Sequence, residues 1–181
     1  RSTSPITLSR AGYWEGRAHE AMGETDAARA AYAFGAQFQT AFYGQLAAEK
    51  LGLDLDPALI SDPQYPDWHT LPFAQSDLLE AALLLHAAGD WYEARRFTLQ
   101  LAEHLQTEDE FGALAQLWLD RGEPHLALKV AKEAVTHGFV LPHAYFPVTD
   151  LATQSLAVPA DLALAIARRE SEFDYRVTSH A

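Results

Sequence analysis

The sequence predicts an all-α protein built from helix pairs of the tetratricopeptide-like kind, and two observations favour this fold class. Alanine and leucine recur at spacings of three and four residues, the period of an amphipathic helix, and the β-branched alternation typical of strands is absent. Three glycines that each follow a helical run are also evenly placed: Gly89 and Gly122 are 33 residues apart, and Gly23 precedes Gly89 by twice that distance. This period is typical of helix–turn–helix repeats.

Small residues flank these glycines in a constant register, which supports the repeat. An alanine follows each glycine by five residues and a small residue precedes it by seven, at Ala28, Ala94, Ala127, Gly16, Ala82 and Ala115. Small side chains at such positions allow two antiparallel helices to approach closely. We therefore predict helix pairs over 9–39, 75–106 and 108–137, and a further helix over 41–51. A chance spacing of glycines in an alanine-rich chain is the alternative.

Two breaks interrupt the predicted helices. Residues 54–72 contain four prolines and several aspartates, which indicates a long irregular connection inside the array. A second break runs from residue 138 to residue 158 and precedes a helix of a different kind. We take it as a domain boundary, with a scaffold domain over 1–157 and the start of a second domain over 158–181.

Composition excludes several classes of function. The chain has 181 residues, a net charge of −12 and no cysteine, so phosphate backbones are repelled and thiolate metal sites are ruled out. The eight histidines include no pair at i, i+4 spacing, and we expect no metal, no cofactor and no nucleic-acid partner. No apolar stretch approaches the roughly 20 residues needed to span a bilayer. The chain begins at Arg1 without a methionine and stops at Ala181, and we expect it to be a piece of a longer protein.

The last predicted helix carries two candidate acids. Pro159 and Asp161 favour a helix start, and polar residues indicate an end near 172–174. Glu170 and Glu172 lie near this end, where the partial negative charge of the helix dipole raises the pKa of a carboxyl group. A general acid needs a raised pKa to be protonated near neutral pH. Periodicity does not choose between the two glutamates, and two solvated carboxylates remain an alternative.

A family resemblance distinguishes Glu170 from Glu172. Residues 164–174 read LAIARRESEFD. This segment resembles the opening motif of the soluble lytic murein transglycosylases, which have a goose-type lysozyme-like catalytic domain. In that family the glutamate followed by serine is the catalytic acid, so the resemblance implies that Glu170 is catalytic. It also implies that Ser171 and Ser179 help to position the substrate.

Other segments resemble the same family in the same order. They are AFYGQLA at 41–47 and YWEGRA at 13–18, similar to its superhelical domain, and AYFP at 144–147, similar to its crossing into the catalytic domain. The resemblance implies a right-handed α-superhelix of tetratricopeptide-like pairs, followed by the first helix of a truncated lysozyme-like domain. Tyr175 departs from the family's usual proline, and the family's Gly-Leu-Met-Gln segment is not reached before residue 181.

The resemblance implies a periplasmic enzyme that cleaves the β-1,4 bond between N-acetylmuramic acid and N-acetylglucosamine. Its substrate is the glycan strand of peptidoglycan, its product is a 1,6-anhydro sugar, and its superhelix offers a surface to other cell-wall proteins. We expect this chain by itself to be inactive, because most of the catalytic domain would be missing. The alternative is a tetratricopeptide-like scaffold that binds a protein partner and has no catalytic activity.

The sequence predicts two environments for the four tryptophans. Trp14, Trp91 and Trp118 lie in predicted helices, and we expect them to pack between helices. Trp68 lies in the proline-rich connection and is the best candidate for an exposed contact with a sugar ring.

Overall fold

A computed structural model describes residues 4–178. Its α-helices are α1 Pro5–Met22, α2 Thr25–Gly35, α3 Phe42–Leu51, α4 Asp77–Ala87, α5 Trp91–Ala102, α6 Glu108–Asp120, α7 Pro124–Thr136, α8 Pro142–Tyr145 and α9 Ala160–Glu170. No strand occurs between residues 4 and 178. The prediction of an all-α protein is confirmed.

The predicted helix pairs are present with small shifts at their ends. Helix α1 packs against α2, α4 against α5, and α6 against α7. The proline-rich connection contains only short 3₁₀ turns, at Pro57–Leu59 and Trp68–Thr70, and a third, Pro72–Gln75, begins at its last proline. The second break contains α8 and a 3₁₀ turn at Asp150–Thr153.

The repeat glycines end helices, as their spacing predicted. Gly23, Gly89 and Gly122 follow α1, α4 and α6 with φ of 76°, 82° and 71°, a left-handed conformation that costs glycine little. The small residues in register with them are all buried, namely Gly16, Ala28, Ala82, Ala94, Ala115 and Ala127. A Cβ atom added to Gly16 would lie 2.5 Å from the Tyr32 ring, so the close approach of α1 and α2 requires glycine there.

The chain forms two compact units, Arg1–Ser61 and Asp62–Ala181, called unit 1 and unit 2 below. Unit 1 contains α1, α2 and α3, which surround a small core that includes Tyr13, Tyr32 and Ala47. Unit 2 contains α4 to α9, and Phe111 and Trp118 are fully buried in its larger core.

The predicted domain boundary between residues 157 and 158 does not separate compact units. Phe173 is only 8% exposed and belongs to the core of unit 2, so the end of the described chain packs with the helices before it. The assignment of 158–181 to a second functional domain therefore stays a prediction that packing alone does not test.

Helix α9 ends earlier than predicted, at Glu170 instead of near 172–174. Glu172 and Phe173 have φ of 53° and 61°, so two consecutive non-glycine residues are left-handed. This conformation costs about 1–2 kcal/mol per residue, and the burial of Phe173 offsets part of the cost. Glu172 thus lies in the turn after the helix, outside α9.

Three of the four tryptophan predictions are wrong. Trp118 is fully buried, as expected, but Trp14 and Trp91 are 53% and 44% exposed. Trp14 follows the buried Tyr13 by one residue, a rotation of about 100° around α1, so its ring lies at the edge of the core, 6.2 Å from the ring of Tyr43 on α3. Trp68 is half-buried and packs against the core of unit 2, because the irregular connection lies on that core.

Candidate site at the end of α9

The predicted catalytic residue lies at the surface. Glu170 is the last residue of α9 and is exposed, and no hydrogen bond or ion pair within residues 4–178 involves its carboxylate. Ser171 follows as the C-cap and is half-buried, and its hydroxyl donates to the carbonyl of Ala167 at 3.2 Å. Ser179, the third predicted site residue, lies outside the described residues.

The second candidate acid is held in an ion-pair cluster. Both carboxylate oxygens of Glu172 are in contact with ammonium groups, one with Lys129 and the other with Lys132, both on α7. Partial burial acts to raise the pKa of Glu172, but hydrogen bonds and charge from the two lysines outweigh it and lower this pKa to about 2. Glu172 is therefore ionised at any pH near neutral.

This difference separates two glutamates that the sequence pattern leaves equivalent. Both carboxylate oxygens of Glu172 are occupied by ammonium groups and its pKa is lowered, which disfavours Glu172 as a general acid. Glu170 has no such partner in the described chain, and its carboxylate is free to meet a ligand.

A cavity of about 700 Å³ lies beside the end of α9. Its walls come from the end of α6, the start of α7, residues 147–151 and the end of α9, with Ala167 and Ser171 among them. The lining is mainly apolar, and Asp150 and Tyr175 add polar groups. Glu170 does not line the cavity, although Ala167 precedes it by one helical turn and Ser171 adjoins it in sequence. A pocket of this size accommodates a small organic ligand.

Helix α9 is joined to α8 by an arginine. The Arg168 Nε donates to the carbonyl oxygen of Tyr145 at 2.9 Å, and its guanidinium lies 4.6 Å and 4.9 Å from the ring centres of Tyr145 and Phe146. These are cation–π distances. Two of the segments that carry the family resemblance, 144–147 and 164–174, therefore meet in one place.

A second anchor lies just after the Glu172 cluster. The guanidinium of Arg176 donates to both carboxylate oxygens of Glu123, at 2.6 Å and 3.0 Å, and stacks over Trp91 at 4.2 Å. His86 contacts the same carboxylate at 2.9 Å. Burial acts to raise the pKa of Glu123, but the hydrogen bonds from Arg176 and His86 give a net lowering. The hydrogen bond to Glu123 is also the main cause that raises the pKa of Arg176.

The sequence patterns do not single out these anchoring residues. Lys129 and Lys132 are three apart on α7 and so share a helix face, a signal that is visible in the sequence. Their partner Glu172 follows Lys132 by 40 residues in the chain. Arg176 follows its partner Glu123 by 53 residues. No local pattern predicts contacts at such separations.

Among residues 4–178 no three His, Asp or Glu side chains are grouped as a metal site would require. In the same part of the chain, no helix combines the length and the apolar character needed to cross a membrane. Comparison with protein families, curated proteins and solved structures finds no match to this chain.

Proposed function

We propose that this chain is part of a peptidoglycan lytic transglycosylase, with Glu170 as its catalytic acid and base. One observation supports the proposal most directly: of the glutamate that ends α9 and the glutamate in the turn after it, only the first, Glu170, has an uncommitted carboxylate. It is also the glutamate followed by serine, the position at which the family resemblance puts the acid.

The surroundings of Glu170 support the same proposal. The two resembling segments at 144–147 and 164–174 meet through Arg168 and Tyr145. A cavity lies beside them with Pro147 and Ser171 in its walls. On this proposal Ser171 and Ser179 help to position the sugar.

In the proposed reaction Glu170 protonates the glycosidic oxygen that leaves from N-acetylmuramic acid. The substrate's own N-acetyl group supports the positive charge that develops at the anomeric carbon. The Glu170 carboxylate then takes the proton of the C6 hydroxyl, whose oxygen attacks that carbon and closes the 1,6-anhydro ring. One carboxylate is enough because the substrate supplies the second group, whereas ordinary glycosidases use two carboxylates. No metal, cofactor or water takes part.

The helix pairs have a supporting role in this proposal. They are turns of a right-handed, tetratricopeptide-like α-superhelix, and α9 is the first helix of a lysozyme-like domain. The enzyme acts in the periplasm on peptidoglycan glycan strands, and the superhelix offers a surface to other cell-wall proteins.

The test is turnover by a longer protein that contains this chain together with a complete catalytic domain. Glu170→Gln should lower release of 1,6-anhydro-muropeptides by at least about 10³-fold, because the amide neither donates nor accepts the proton. Products are measured by mass spectrometry of digested peptidoglycan, and helicity by circular dichroism. The 181-residue chain alone should release none.

Glu103→Gln is the matched control, since Glu103 is an exposed glutamate at the C-terminal end of α5. It should retain full activity. Equal activity of Glu170→Gln and the wild type would refute the catalytic role. A wild-type protein that binds a cell-wall protein but releases no anhydro sugar would instead favour a non-catalytic helical scaffold.

A further inference from the structure

We propose that one stripe of α7, together with Glu123, holds the end of α9 in the orientation that the reaction needs. The stripe consists of His125, Lys129 and Lys132, which are spaced i, i+4 and i+7 and so lie on one face of α7. Its members are positioning residues, because they contact the turn after α9 and not the substrate. The proposal rests on the proposed function of Glu170.

Helix α9 packs only lightly against the rest of unit 2. None of its residues from Ala160 to Glu170 is buried, and Leu162 and Ile166 are about half exposed. Leu164 and Ala167 are only partly buried against the core of unit 2, and a helix buried so lightly depends strongly on the contacts at its ends. At its C-terminal end these contacts are the Arg168–Tyr145 interaction and the segment 172–176.

The segment 172–176 is in direct contact with the stripe at Glu172. The Nδ1 of His125 lies 3.0 Å from the carbonyl oxygen of Glu172, whose carboxylate contacts Lys129 and Lys132. The Glu172 backbone and side chain are therefore both bound to α7. Glu170 precedes this fixed residue by two positions.

Glu123 completes the attachment. It is the N-cap residue of α7, it is only 4% exposed, and it receives both hydrogen bonds of the Arg176 guanidinium. A bidentate pair of this kind fixes orientation as well as distance. Between the two ionic anchors, Phe173 inserts into the core of unit 2.

These attachments stabilise a backbone that is unfavourable by itself. Glu172 and Phe173 are both left-handed, a conformation that persists only where the surrounding structure enforces it. Without the lysines, the turn is free to relax and to change the direction in which Glu170 points. Misplacement of a catalytic group by about 1 Å lowers the rate by about 100-fold.

The experiment uses the longer protein with a complete catalytic domain. Lys129→Met together with Lys132→Met should lower kcat at least tenfold and leave KM within twofold of the wild type. Amide hydrogen exchange of residues 171–176 should become faster, while exchange in α6 stays unchanged. Lys129→Arg with Lys132→Arg keeps the charge and should restore kcat to within threefold.

Arg96→Met is the matched control, because it removes one cation from an exposed ion pair with Glu93 in the same unit. It should change neither kcat nor exchange at 171–176. If the double variant loses its helical signal, Glu172→Gln is measured in the same way, since it removes the charge and keeps the side-chain volume.

Two failures are distinguishable. An active wild type whose kcat, or whose exchange at 171–176, is unaffected by the double variant overturns the positioning role and leaves the function of Glu170 standing. An inactive wild type, or an active Glu170→Gln, overturns the proposed function and the positioning role together.

Discussion

Glu170 and Glu172 are two residues apart, but they have different environments. Glu170 ends α9 and is exposed, whereas Glu172 lies in a left-handed turn between two lysines. The lysine contacts, and not a position at a helix end, lower the pKa of Glu172. The helix dipole was expected to raise the pKa of both glutamates. Helix α9 ends at Glu170, however, so Glu172 is not part of the helix.

The ion-pair cluster of Glu172 with Lys129 and Lys132 makes the free energy of unfolding depend on pH. The pKa of this carboxyl is lowered from 4.5 to about 2 on folding, so its stabilisation is complete above about pH 5 and is lost as pH falls towards 2. Glu172→Gln should lower the free energy of unfolding by about 1–3 kcal/mol at pH 7, a value that allows for solvent screening. The difference from the wild type should shrink as pH falls from 5 to 3.

Urea unfolding of the 181-residue chain at several pH values measures this difference. Glu103→Gln serves as the control and should show no such trend, because Glu103 is exposed at the end of α5. A difference between wild type and Glu172→Gln that stays constant from pH 7 to pH 3 would show that the carboxylate is not held by the lysines.

At the scale of the helix, α6 has the best-defined start. The Thr107 hydroxyl accepts from the Glu110 backbone N–H at 3.3 Å, and the Glu110 carboxylate accepts from the Thr107 N–H at 3.1 Å. This reciprocal arrangement is a capping box, and its signature of threonine followed three residues later by glutamate is visible in the sequence. The helix pair predicted over 108–137 begins at the residue that follows this cap.

Thr107→Ala should lower the free energy of unfolding by about 1 kcal/mol, because the Glu110 N–H loses the hydroxyl oxygen that accepts its hydrogen bond. Chemical denaturation followed by tryptophan fluorescence measures it, since Trp118 is buried in α6. Thr136→Ala is the control and should change stability by less than about 0.5 kcal/mol, because Thr136 is exposed at the end of α7. Equal effects would mean that the cap contributes nothing.

At the scale of the whole molecule, each compact unit has its own core. The boundary between residues 61 and 62 lies in the irregular connection, and between the end of α3 and this boundary Leu53, Leu55 and Ile60 are 54%, 45% and 70% exposed. Apolar side chains with that exposure contribute little to either core. Their backbone lies outside the α-helices and is accessible to proteases.

Limited chymotrypsin digestion should therefore cut first after Leu53 or Leu55, since this protease cleaves after large apolar residues. Mass spectrometry of early time points identifies the fragments. Leu53→Ser with Leu55→Ser should slow the first cleavage several-fold. A first cut inside α4 to α7 would contradict the division into two units with separate cores.

The sequence by itself determined the helices, the glycines that end them and the small residues that allow them to pair, because these depend on local periodicity and steric fit. It also marked Glu170, through a motif that is contiguous in the chain. Only the tertiary structure decided that Glu172 is ionised between Lys129 and Lys132, and that Arg176 binds Glu123. Such pairs join residues 40 or more positions apart, and their energies depend on burial and charge in three dimensions.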